Sequence, residues 1–259
     1  MNVRQKGFTL IEIAIVLLIV AILLGYTVAL FPVQQELKHY RQADTEMNEI
    51  IDALISFAQV NGRLPCPDTD TDGRENDSDL WDIAGDAPGT DTFIDSCVGY
   101  TGLVPMTTLG LQANANSNNN PQDPWGDVYE YTVSDVDTDS VGVVDLVSPN
   151  GIRAEGVGNV KPDLKICNGS GAAIDDCPGA NIAARDLNTV ANGIAAVLVS
   201  TGKNRNDIAS AIQTENTDGD KAFVSATRSD ASGSEYDDIV KWISSNQLFS
   251  KMIEADQLP

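Results

Sequence analysis

Lys6-Gly7-Phe8-Thr9-Leu10-Ile11-Glu12 opens this chain of 259 residues, and an uncharged, largely apolar run then continues to Phe31. Phe8 to Phe31 is about 24 residues, ~36 Å as a helix, which exceeds the ~30 Å hydrocarbon core of a bilayer. A conventional secretory signal fits less well, because its apolar core has only ~7–15 residues before a small-residue cleavage site. Ala29 is the nearest such position and lacks an A-x-A context. Arg4 and Lys6 precede the span and an acidic mass follows it, so the positive-inside rule predicts a cytoplasmic N-terminus. Glu12 is the anomaly. A carboxylate inside a bilayer segment asks for a partner, and Phe8, one helical turn earlier, would supply an ammonium if the chain were cut after Gly7. The plainer reading is that Glu12 offsets the positive end of the helix dipole.

The segment Lys6 to Glu12 resembles the processing site of type IV prepilins and type II secretion pseudopilins. That resemblance implies that a prepilin peptidase cuts after Gly7 and methylates the new N-terminal Phe8. It also implies that Glu12 pairs with the N-terminal amine of a neighbouring subunit during filament assembly. The implied partners are other pilin-like subunits, the peptidase, an inner-membrane assembly platform, and membrane lipid before assembly. The implied place is a single-pass inner-membrane protein with a periplasmic head, later part of a periplasmic or extracellular filament.

Beyond the span, Pro32 predicts a kink. The helix is expected to resume, because Leu37, Tyr40, Met47, Ile51, Leu54 and Ala58 form one apolar stripe. Asn61-Gly62 supplies a stop, and Pro65 and Pro67 forbid continuation. The expected organisation is a leader at 1–7, a transmembrane or filament-core helix at 8–31, its amphipathic continuation at 32–61, and a globular head at 62–259. The expected fold class is α+β and pilin-like, with the long helix packed on an antiparallel sheet.

The formal net charge is −22, and removing the leader with Arg4 and Lys6 would make the chain more acidic still. Such a surface repels nucleic-acid phosphate and favours cations. Cys66, Cys97, Cys167 and Cys177 all lie beyond the span, in a compartment that would be oxidising, so disulfides are expected. Of the three possible connectivities, sequence proximity favours Cys66–Cys97 with Cys167–Cys177. Zinc is disfavoured, since there is no CxxC pair and the sole histidine, His39, falls in the stalk.

In the head, the β-formers at 128–133 and 142–148 suggest a hairpin, 194–200 a buried strand, and 238–249 a short closing helix through Ile239, Trp242 and Ile243. The asparagine-rich stretch 114–121 reads as an exposed loop. Asp123-Pro124-Trp125-Gly126 resembles the segment that opens the sheet in the major pseudopilin of type II secretion. Ser200-Thr201-Gly202-Lys203-Asn204 and Tyr236-Asp237-Asp238 are more loosely similar to that family's strand-end and closing segments, where the closing loop binds calcium. The chain is longer than that family's pattern through 150–195 and 205–235, which fits a bulkier, minor subunit, and a tip pilin acting as an adhesin or substrate-binding module is the alternative.

Calcium has a second candidate by spacing alone. Asp68-x-Asp70-x-Asp72-Gly73 follows the opening of an EF-hand-type loop, with the Arg74 carbonyl and Asp79 at the later ligand positions. Asp135-x-Asp137-x-Asp139 lacks the glycine and is weaker. No G-x-S-x-G elbow, H-E-x-x-H pair, complete G-x-G-x-x-G or P-loop occurs, so the expectation is a structural subunit rather than an enzyme.

Overall fold

The computed structural model describes residues 7, 9–77, 97–111, 122–137, 145–168, 189–203, 211–231 and 235–258, without the side chains of 25–33 and 211. The chain divides into two compact units, Met1–Gln42 and Ala43–Pro259. One helix, α1 (Leu10–Asn61), contributes to both. It continues through Pro32, so the proline does not end it. In the first unit the apolar side chains from Leu10 to Leu24 are exposed. Among the described residues no helix is long and apolar enough to cross a membrane.

In the second unit α1 is amphipathic. Ala43, Met47, Ile50, Ile51, Leu54, Ile55 and Ala58 recur at helical spacing and are buried. Leu37, expected on this stripe, is exposed, so the buried face begins at Ala43. The helix stops as expected: the Gly62 N–H donates to the Ala58 carbonyl at 2.9 Å, with Gly62 in the left-handed region at φ 71°.

Among the described residues the head carries six strands: β1 (Thr101–Leu103), β2 (Glu130–Val133), β3 (Leu164–Cys167), β4 (Thr189–Ser200), β5 (Ala222–Val224) and β6 (Ile239–Ser244). Among the described residues four helices accompany them: α2 (Met106–Leu109), α3 (Gly151–Glu155), α4 (Ala211–Thr214) and α5 (Ser245–Glu254). β4 organises the sheet. Ile194 lies opposite Leu164 of β3 and Ser244 of β6, while Ala196 to Val199 lie opposite both β2 and β6. A strand has only two edges. β2 and β3 therefore lie end to end along one edge of β4, and β6 holds the other. β1 flanks β2 in antiparallel fashion, and β5 flanks β3 in parallel. The sheet is mixed, which corrects the antiparallel expectation. The physical reason is that β5 docks on the outer edge of β3: one reversal into β4 and a second into β5 leave β5 running in the direction of β3.

The two faces of β4 serve different clusters. Ala196 and Leu198 join Ile243, Leu248, Phe249, Met252 and the buried face of α1. Ile194, Val197 and Val199 join Leu164, Ile166, Phe223 and Val240 on the opposite face. Burial on both faces explains why 194–200 reads as a continuous apolar run.

Two sequence expectations are overturned here. Both edges of β2 are occupied by β1 and β4, so among the described residues β2 makes no hairpin with 142–148; the described part of that stretch, Asp145 to Ser148, is a buried turn. The closing segment is not one helix from 238 but β6 followed by α5. Val240 and Trp242 point to one cluster and Ile239 and Ile243 to the other, a period of two. Ser244 then caps α5 by accepting from the Gln247 N–H. The asparagine-rich 114–121 stretch lies outside the described residues.

Because Leu54 is fully buried between α1 and the sheet whereas Leu37 is exposed, their truncations should differ. Leu54→Ala is expected to destabilise the head by about 2–5 kcal/mol. Leu37→Ala should leave the urea-unfolding midpoint of the detergent-solubilised protein unchanged.

Candidate functional site

The helix start is built by a reciprocal cap. Thr9 precedes the first helical residue, and Glu12 stands three positions later. The Thr9 N–H and hydroxyl both donate to Glu12 Oε2, at 2.8 and 2.7 Å, and the Glu12 N–H reaches back to Thr9 Oγ1 at 3.4 Å. This is a capping box, and Thr9 is a site residue that the sequence reading passed over. The T-x-x-E spacing was the signal. Gly7 is exposed, and a side-chain carbon there would meet nothing within 4 Å. Among the described residues nothing demands a glycine at that position. Phe8 lies outside the described residues.

The first acidic loop is tied down from several directions. Cys66 and Cys97 form a disulfide, as expected. Arg63 and Glu75 form an ion pair at 2.7 Å, and Glu75 also accepts the Cys66 N–H. Asp68 is fully buried. Its Oδ1 accepts from the N–H groups of Asp70 and Thr71, and its Oδ2 from that of Gly73, at 3.2, 2.7 and 2.7 Å. Burial pushes the Asp68 carboxyl above the ordinary aspartate value, against the pull of those three donors. Asp70 and Asp72 are exposed, and one oxygen from each of Asp68, Asp70 and Asp72 lies within 4.8 Å of the others. Gly73 makes the expected sharp turn at φ 81°. Arg74 is exposed and its N–H donates to Asp72 Oδ1 at 2.8 Å. Asp79 lies outside the described residues. Three carboxylates are a donor set of the kind a hard cation takes.

The second acidic loop is a buried polar knot at the ends of β4 and β6. Asp237 accepts from the Gln213 amide at 2.5 Å and from the Lys203 N–H at 2.9 Å; Asp238 accepts from Asn216 at 2.8 Å. Asn216 also bridges both backbone groups of Val224 in β5. Gly202 sits at φ 65°, and any side chain there would lie 2.7–2.8 Å from Asp237, so this close approach requires glycine. Burial, reinforced by the charges of Asp237 and Glu130, raises the Asp238 carboxyl to about 7, against the amides of Asn216 and Gln213. Unlike Asp68, Asp70 and Asp72, the pair does not belong to a converging trio of metal-type side chains among the described residues.

Beside this knot Asp123 organises the Asp-Pro-Trp-Gly turn. Its Oδ1 accepts from the N–H groups of Trp125 and Asp127, and its Oδ2 from Ser200 Oγ at 2.7 Å. Of the remaining expected residues, Asp135 is engaged by Lys221, Cys167 is disulfide-bonded, and Asp139 and Cys177 lie outside the described residues.

Residues 2–28 match the family described as the prokaryotic N-terminal methylation motif. The chain thus carries a prepilin segment of the type IV pilin and pseudopilin kind at its N-terminus. No curated protein and no solved structure matches the chain.

The Asp238 carboxyl also makes a pH prediction. Its folded value of about 7 is raised above the ordinary 3.8. Its contribution to stability is therefore complete below the unfolded value and is lost as pH rises through the folded one. In the presence of chelator, the melting temperature of the protein should fall by about 5 °C between pH 5 and pH 8. Asp238→Asn should flatten that slope, as followed by circular dichroism.

Proposed function

We propose that the chain is a pilin-like structural subunit that is inserted in the inner membrane, cleaved after Gly7, methylated at Phe8 and assembled into a filament through α1. The filament is a type IV pilus or a type II secretion pseudopilus. The observation that carries this reading is the methylation motif over residues 2–28, within which the apolar side chains from Leu10 to Leu24 of α1 are exposed. Exposed Leu and Ile side chains in long succession need lipid or the same surface of another subunit. The indifference of Gly7 to its own surroundings points the same way, because a glycine that the chain does not need is explained by a peptidase that must approach it. In this reading the head faces the periplasm and then the outside of the filament.

Calcium belongs to this proposal as a structural ion. Asp68, Asp70 and Asp72 would hold it through carboxylate oxygens, with the Asp237–Asp238 loop as the competing location. The ion would offset the mutual repulsion of carboxylates crowded into one turn.

Two experiments test these readings. Mass spectrometry of the mature protein should find Phe8 at the N-terminus with one added methyl group; an intact Met1 or a cut near Ala29 would overturn the prepilin reading. Glu12→Val should insert normally yet enter filaments poorly, and normal incorporation would leave Glu12 as a helix-cap residue only.

Calcium is tested by melting. Millimolar calcium should raise the melting temperature, since a ligand of the folded state stabilises it by mass action. Asp70→Ala should abolish the rise if the first loop is the site, and Asp238→Ala if the second is. A melt indifferent to calcium and chelator would sink both.

A further inference from the structure

The end-to-end strands β2 and β3 leave a break in the sheet, and the break is bridged by side chains. Past the end of β2, Ser134 Oγ donates to Asp163 Oδ1 at 2.6 Å, just ahead of β3. Lys221, just ahead of β5, donates to Asp135 Oδ1 at 2.5 Å and to Asp163 Oδ2. A cleft of about 300 Å³ opens at this break, and Tyr100, Thr101, Val133, Asp135, Leu164 and Lys221 form most of its wall. That volume is at the lower end of ligand sites, which run ~300–1,000 Å³. Nothing in the filament reading uses it.

We infer that this cleft binds a saccharide unit, either neutral or amine-bearing. The wall decides against the other classes. An anion is disfavoured, because Lys221 already sits between two carboxylates and Asp220 adds a third. An apolar ligand would strip water from Thr101, Asp135 and Lys221 without replacing its hydrogen bonds. A bare metal ion finds no converging trio of ligating side chains here among the described residues. A sugar hydroxyl, by contrast, both donates and accepts.

The cleft offers both complements side by side. An ammonium has three donors, and the third N–H of Lys221 remains after Asp135 and Asp163 are served. The Thr101 hydroxyl accepts from Thr132 at 3.1 Å and keeps its own proton to give. Asp135 binds Lys221 through Oδ1, which leaves Oδ2 as an acceptor. Half-buried Tyr100 supplies the apolar wall for the carbon face of a pyranose ring, with Val133 and Leu164 buried behind the cleft floor. Because the ion pairs fix Lys221 and Asp135, the polar groups are oriented before the ligand arrives.

This inference does not rest on the filament reading, and its test is separate. The full-length protein, in a detergent without a sugar headgroup, is examined by saturation-transfer NMR against glucose, galactose, mannose, N-acetylglucosamine, glucosamine and glucuronate. The same preparation is applied to an array of neutral and amino-sugar oligosaccharides. At least one neutral or amino sugar should bind, with a Kd on the order of millimolar for a monosaccharide, and glucuronate should bind none or far less. Asp135→Asn and Thr101→Ala should each weaken binding about tenfold. Thr101 is exposed and its truncation removes one hydrogen bond, from Thr132, so the variant should melt no more than about 10 °C lower and stay folded at the binding temperature, which separates lost binding from lost folding. Absence of binding across monosaccharides and array, binding indifferent to both substitutions, or equal binding of glucuronate would overturn the inference.

Discussion

The backbone of β4 is paired with three strands at once, and most of the head follows from that. From Ala196 to Val199 its two edges are occupied, and from Ile194 to Ser200 both its faces are buried. A strand in that position cannot slip. A shift by one residue would exchange Ala196 and Leu198, which face α1, for Val197 and Val199, which face the second cluster. Small residues at 195 and 196 let α1 approach closely, whereas the β-branched residues at 197 and 199 fill the far side. The register irregularity between Ile194 and Ala196 lies beside Gly193, at φ 64°, near where the neighbour on one edge changes from β3 to β2.

Anchoring two strands on one edge has a polar consequence. Where β2 ends and β3 begins, the ladder is interrupted, and backbone groups near the junction cannot all pair with another strand. Ser134 resolves part of this: its N–H bonds to the Ala195 carbonyl and its hydroxyl bonds to Asp163. Lys221 then ties the β5 branch to the same carboxylate. Burial works against the Lys221 charge, yet Asp135 and Asp163 outweigh it and hold the ammonium above its ordinary value. The cleft and its fixed charges are therefore by-products of the same topology that secures β4.

What the sequence made legible was local. The prepilin segment is one unbroken stretch within residues 2–28, Gly62 follows its helix directly, and Cys66 and Cys97 are separated by only 31 positions. What it hid was non-local. Glu130 pairs with Val199 and Cys167 with Val224, and no turn signal joins either pair. The 238–249 misreading has a sharper cause. Ile239, Trp242 and Ile243 satisfy a helical period, but Val240 completes an alternating one, and the open edge of β4 decided between them. The Asp68 loop shows a third kind of limit: spacing announced converging carboxylates, but not that Asp68 would be buried with both oxygens taken by backbone N–H groups.

That distribution of hydrogen bonds also bears on Glu12, where two partners compete in principle for one carboxylate. The Thr9 cap satisfies Glu12 within its own chain, which at first sight removes the need for a neighbouring ammonium. Both Thr9 bonds, however, fall on Oε2. Each carboxylate oxygen carries its own lone pairs, so Oε1 stays open to a second donor. In the proposed filament the cap and an intersubunit pair would thus be compatible, and the first would prepare the second: Thr9 fixes the rotamer that an incoming ammonium would otherwise have to order. In that proposal the cap would also offset part of the cost of carrying Glu12 in an apolar segment before any partner arrives, because a carboxylate with two hydrogen bonds is less costly to hold there than a bare one. On this view Thr9 is the residue that lets the same side chain serve a lone subunit and an assembled one.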